Sequence, residues 1–413
     1  MISAPHRPPS DSIFSSRLRV FAVANLRVFA VATLRVFAVL FTFILPTYLH
    51  SQWIEDPAID AGIQEGIRAT YNIEFEVADR AFLAVIRARP QHPAGYFFAA
   101  MVDWWRILIN FEDDSHDEAF YRRLQRVIDM CNARLDHNED DLTGLFFKGG
   151  AIGFRGRLLA MRKSWIKAAG DGRDALPIVQ AASRIAPRNA DINLGVGIYN
   201  YYADVLPDRH PILKPAMLFL PDGDRGKGIR QLRYAAENAR YANWEATYFL
   251  VQVYSSYENK PSVALPFARL LADEFPANPI FQRTLGRIHV KLADWQRATS
   301  VFTKVLDRCE KKLPGYSAPA EREARYYLGY DAMLRKEYAA ALKHFARCDE
   351  VARGFESETS GFRVMAALRA GMTHDLLKRR ADAVREYNRV LSMPDHNGSH
   401  SLAKEYLSRP YSL

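Results

Sequence analysis

The chain has 413 residues, 49% hydrophobic and 25% charged. These are ordinary proportions for a folded chain, but the length exceeds what one compact core usually supports, so several domains or an elongated repeat array is expected. Of the net charge of +9, residues 1–52 supply +4 through five arginines against one acid, and the +5 left on the body gives no clustered basic footprint for nucleic acid.

The first segment in chain order is a hydrophobic arm. LRVFAVA occurs at Leu18 and at Leu26, and LRVFAV at Leu34, so an arginine recurs every eight residues and interrupts any long span. Residues 36–49 then run fourteen positions without a charge. That is the length of a signal-peptide core and short for a membrane span. Pro46 ends it, and cleavage after Ser51 would make Gln52 the first mature residue. The expectation is export to the periplasm or cell envelope, with an uncleaved membrane anchor as the alternative.

A first helical unit follows, with Gly66, Ala78, Phe82 and Pro90. Residues 93–109, 116–135, 142–161, 165–185, 190–205 and 225–241 each carry apolar residues at helical spacing between polar or proline-rich breaks. They read as three longer helix pairs, and nothing alternates as a strand. Gly149, Gly150, Gly153 and Gly156 lack the Gly-Lys-Ser/Thr ending of a phosphate loop, and 149 and 153 share a helix face suited to close packing. Residues 206–223 contain four prolines and the apolar run 216–220, an irregular insertion too long for a simple connector.

The C-terminal part is periodic. Ala264, Ala298, Ala341 and Ala383 follow one another at spacings of 34, 43 and 42, the growth falling in connectors near Pro314-Gly315 and 354–361. Gly286 precedes Ala298 and Phe302, Gly329 precedes Ala341 and Phe345, and Gly371 precedes Ala383 and Tyr387. The glycine and alanine allow two antiparallel helices to approach, while the aromatic fills the space between one pair and its neighbour. These spacings resemble the tetratricopeptide repeat family over about 59–90 and 245–395. The central pattern, with FFKGGAIGFRGR and NYYADVLP, is similar to exported bacterial proteins of that family.

The resemblance implies an all-α superhelical solenoid of antiparallel helix pairs, divided as 1–52 (arm), 53–240 (divergent repeats with the insertion) and 241–413 (regular repeats and a capping helix). It also implies a non-enzymatic scaffold that binds a protein or peptide in a concave groove lined by first helices. Counting from the Leu-Gly pairs places Arg283, Arg287, Lys291, Glu323, Tyr326 and Tyr330 on that face. The residues agree in part, since 283, 287 and 291 form one basic stripe along a helix. Aromatic faces at Tyr96, Trp104 and Trp105, and at Tyr199, Tyr201 and Tyr202, are either core or groove. Cys131, Cys309 and Cys348 are too few and too scattered for a disulfide framework or a metal site and read as buried hydrophobes. His396 and His400 have a metal-like spacing, but Asn397-Gly398 between them breaks the helix, so neither metal nor cofactor is expected. Two other functions remain as alternatives: a membrane-tethered assembly factor, and a hydrolase with its site near 206–223.

Overall fold

The structure, a computed structural model, describes residues 56–211, 214 and 221–412. Residues 36–49 and the run 216–220 lie outside the described residues. Seventeen α-helices and no strand occur among the described residues. In chain order they are α1 (Pro57–Tyr71), α2 (Phe75–Ala88), α3 (Pro93–Ile109), α4 (Asp117–His137), α5 (Leu142–Met161), α6 (Trp165–Ile185), α7 (Ala190–Arg209), α8 (Arg225–Asn238) and α9 (Asn243–Gln252). Then come α10 (Pro261–Glu274), α11 (Pro279–Lys291), α12 (Trp295–Glu310), α13 (Ala318–Leu334), α14 (Tyr338–Arg353), α15 (Gly361–Leu376), α16 (Arg380–Leu391) and α17 (Ser399–Ser408).

Consecutive helices pack as eight pairs, α1–α2 through α15–α16, closed by α17. Many starts are written in the sequence. Asp56, Asn278 and Asn189 accept from the first free backbone N–H groups, and Pro57 and Pro279 occupy the first turn, where no N–H is missed. First helices of five pairs end in a left-handed residue: Ile73, Lys163, Ala293, Lys336 and Lys378, with φ from 56° to 66°. Each lies seven residues after a glycine, at 66, 156, 286, 329 and 371. The hairpin turn is thus one repeated geometry, although its residue identities differ.

Inside a pair the glycine does something more specific than allow approach. A Cβ on Gly286 would lie 2.7 Å from the Phe302 ring, on Gly329 2.8 Å from Phe345, and on Gly371 2.6 Å from Tyr387. The aromatic four residues after the alanine therefore seats on the glycine of its own pair, and it also reaches the next helix as expected, Phe302 lying 4.6 Å from Tyr327 of α13 and Tyr387 5.7 Å from Tyr406 of α17. Ala298, Ala341 and Ala383 beside it are at most 1% exposed. In α5 the close-packed glycines are Gly149 against Val179 and Gly156 against Asp171, whereas Gly153 faces open space, so 149 and 153 are not the packing pair.

Helix α7 runs through Pro207 to Arg209, past the expected end at 205, because the following turn still closes through His210 N–H to the Leu206 carbonyl. The insertion returns where Gly223 lies against the α7 backbone at 200–204, a place with no room for a side chain.

One hydrophobic cluster runs from Ile63 to Ile288 without a break at 240, so the division there is one of sequence pattern and not of core. A small cluster at 302–324 and a second large one at 326–403 follow. The first hairpin also reaches far along the chain. Asp60 pairs with Arg240 and accepts from Tyr241 Oη at 2.5 Å. Tyr71 Oη donates to Glu245 at 2.8 Å, and Asn278 Nδ2 donates to the Tyr71 carbonyl at 2.8 Å.

Candidate functional site

The first helices of pairs one, two, five and six meet through their rings. Tyr71 of α1 lies 4.9 Å from Trp105 of α3, and Trp105 lies 5.3 Å from Phe281 of α11 and 5.9 Å from Tyr248 of α9. All four are buried. This inner side is filled by the chain's own aromatics, leaving a cavity of about 60 Å³ beside Thr70, Trp104 and Glu245, too small for a drug-sized ligand. Trp104 and Trp105 are core. Tyr96 instead lies under Arg126, whose guanidinium is 4.2 Å from the ring centroid. Tyr201 Oη donates to Glu258 at 2.7 Å, Tyr202 packs at 5.3 Å on Tyr257, and Tyr199 donates to the Pro221 carbonyl.

The inner side of pairs six to eight differs. Arg283, Arg287 and Lys291 lie along α11 with increasing exposure toward Lys291. Their neighbour on α13, Glu323, is 0% exposed and accepts from Arg283 at 2.6 Å and Arg287 at 2.9 Å. Burial pushes the Glu323 carboxyl up, but the two guanidinium groups outweigh it and hold it below its usual value. Arg287 also donates to Thr284 Oγ1 at 2.8 Å. Two arginines thus share one carboxylate while Lys291 has none, and burial together with the charge of Arg287 lowers the Lys291 pKa.

Lys291 donates to the Ser255 carbonyl, and the reason lies in α9, which ends in a π-turn over Val253–Tyr257. A π-turn displaces carbonyls from the regular ladder. The next two, Ser256 and Tyr257, accept from Arg209 at 3.2 and 2.8 Å. Arg209 stands at the root of the insertion, so that root and the basic stripe hold the same turn.

Tyr326 is buried and Tyr330 half-buried. Tyr326 Oη accepts from Arg369 Nε of α15 at 3.1 Å, and the Arg369 guanidinium covers the Tyr330 ring at 3.3 Å from its centroid. Of the six positions counted from sequence, Lys291 alone is exposed, Arg283, Arg287 and Tyr330 are half-buried, and Glu323 is turned inward onto its two arginines. Arg369, Tyr327 and the π-turn were not found by sequence reasoning. Arg369 lies two residues before Gly371, and the same counting extended to that glycine would have brought its face into view.

The two histidines near the C-terminus are engaged locally. His400 Nε2 is 2.8 Å from the Met393 carbonyl, while the His396 ring lies against Gly361. Among the described residues no group of three or more His, Cys, Asp and Glu is placed to hold a metal ion. Cys131 and Cys348 are buried and Cys309 half-buried, and burial pushes each thiol up to about 12, away from reactivity. The glycines at 149–156 lie within one continuous helix, which is no phosphate cradle.

The fold built by these pairs is a tetratricopeptide-type α-solenoid, defined by the repeated glycine, alanine and aromatic contacts and the common turn. No family model matches the chain, and no curated protein matches it. Solved structures align at low identity. A thermophilic TPR protein from Thermus thermophilus is 16% identical over 57% of this chain and 99% of its own, with a TM-score of 0.34. The human IFIT1 dimer with PPP-AAAA is 11% identical over 78% of this chain and 69% of that one, at 0.40. Yeast Tom70 is 8% identical over 86% and 89%, at 0.35.

Proposed function

We propose that the protein is a non-enzymatic scaffold that holds an acidic protein or peptide segment on the inner side of pairs six to eight, in the bacterial cell envelope. One observation carries the reading: Arg283, Arg287 and Lys291 lie along one helix, and the single carboxylate among them, Glu323, is buried. A stripe with unbalanced positive charge beside tyrosines suits a partner bearing carboxylates, through charge-assisted hydrogen bonds and ring contact. Glu323 acts by fixing the two arginines and not by touching the partner. Because the helices preform the surface, little ordering cost falls on the scaffold.

The uncharged run at 36–49 supports export. Among the described residues no helix is long and apolar enough to cross a membrane. The mass of the purified chain separates a cleaved signal, beginning at Gln52, from a retained anchor.

Affinity purification from the native envelope, comparing wild type with Lys291→Glu, tests the binding surface. Lys291 is preferred to Arg287 because a glutamate at 287 would face Glu323 and confound binding with folding. Specific loss of a captured protein is expected. An unchanged set of captured proteins removes the stripe from the binding reaction.

A further inference from the structure

Arg369 is half-buried between α13 and the C-terminal residues, and it has no ion pair among the described residues. That is unusual in its surroundings. Glu323 is engaged by two arginines, and Asp375, six residues beyond Arg369, accepts from Arg380, Tyr387 Oη and Tyr411 N–H. Arg369 instead meets tyrosines. Its Nε donates to Tyr326 Oη, its plane lies on Tyr330, and Tyr330 is braced by Trp295 at 4.8 Å. Tyr406 and Tyr411, 5.2 Å apart, both feel its charge. No protein acceptor for Nη1 or Nη2 occurs among the described residues.

A guanidinium stacked on a ring and fixed at Nε has its rotamer set in advance, and its two terminal nitrogens form the fork that fits a carboxylate. A guanidinium held this way without a counter-ion is a ready recipient for an anion, through charge-assisted hydrogen bonds. We propose that Arg369, framed by Tyr326, Tyr330 and Tyr411, is a distinct carboxylate-binding position that takes one acidic side chain of the partner peptide. The proposal rests on the inner side of pairs six to eight being the binding surface, and it adds a second anchor on α15 beyond the α11 stripe. The body's modest charge of +5 and the carboxylate within the stripe favour a peptide over nucleic acid.

The test is fluorescence anisotropy of the full chain with fluorescein-labelled hexaglutamate, with hexaglutamine and a labelled ten-nucleotide uridine strand as controls. Wild type should bind hexaglutamate and not hexaglutamine. Arg369→Gln should weaken binding roughly tenfold or more with an unchanged melting curve, and Arg369→Lys should recover only part, since it restores charge without the fork. Wild-type affinity retained by Arg369→Gln while Lys291→Glu loses it would overturn the Arg369 position and leave the α11 stripe standing. Failure of wild type to bind hexaglutamate, or binding of the uridine strand alone, would also overturn it, while the scaffold reading would still face its own purification test.

Discussion

At the scale of single residues the fold rests on where a methyl group is tolerated. Phe302 is 0% exposed and sits 2.7 Å from where a Cβ on Gly286 would be, so its ring cannot yield. Gly286→Ala should therefore cost about 1–3 kcal/mol despite alanine's better helix propensity. Gly153 has no neighbour at its Cβ position, and Gly153→Ala should stabilise by about 0.5–1 kcal/mol. Thermal melts of the two variants should move in opposite directions. A parallel gain for both would mean that the ring does not rest on its glycine. Titration adds a second residue-scale outcome. Burial lowers the pKa of His289 and His344; Asp294 opposes this at His289, while Arg297 and Arg269 add to it, and Arg325 and Lys343 add to it at His344. Both rings fold neutral, whereas unfolded histidine protonates near 6.5. Below that pH the unfolded chain binds the extra protons, so stability present at pH 7 is lost as pH falls through the depressed folded values. The urea midpoint should drop between pH 7.5 and 5.5, and His344→Gln should flatten the drop.

At the scale of elements the repeated turn carries a strain that sequence does not announce. Ala293 holds φ at 56° on an exposed turn, a conformation costly for any residue with a Cβ. Ala293→Gly should raise stability by up to about 1 kcal/mol, read as a shift in the urea midpoint. Ile73 has the same geometry but is 4% exposed and packs near Gly315, so there the burial lost would outweigh the relief. The glycine-to-alanine spacing of twelve was legible in four units because both residues are forced by contact. It also holds between Gly156 and Ala168, a fifth hairpin hidden by Gly172 standing where the aromatic would be. The turn position was not legible, since Ile, Lys, Ala, Lys and Lys have no chemistry in common and only the backbone is repeated. In the basic stripe, helical spacing showed that three cations share a face, but pairing with Glu323 depends on the offset of α11 against α13, which no spacing within one helix reveals.

At the scale of the described molecule the long-range contacts change how stability is distributed. An open solenoid is nearly one-dimensional: weakening its first repeat frays that repeat and little else. Here Asp60 of α1 holds Arg240 and Tyr241, about 180 residues away, while Tyr71 holds Glu245 and receives Asn278, so pair one is also a neighbour of pairs five and six. Nothing in the local pattern could have shown this, because each of these partners belongs to a unit that looks complete by itself. Asp60→Ala would leave the Tyr241 hydroxyl and Arg240 without their acceptor and should cost roughly 2–3 kcal/mol in global stability. Its diagnostic effect is spatial. Amide exchange should accelerate in α8–α11 as strongly as in α1–α2, with α13–α17, which have their own hydrophobic cluster, responding less. Acceleration confined to residues 57–88 would mean that pair one folds as an independent end and that the ring cluster joining Tyr71, Trp105 and Phe281 transmits nothing. With coupling as expected, the first six pairs form a rigid base that presents the α11 stripe, and the surface proposed to hold a partner runs from that stripe over the last two pairs.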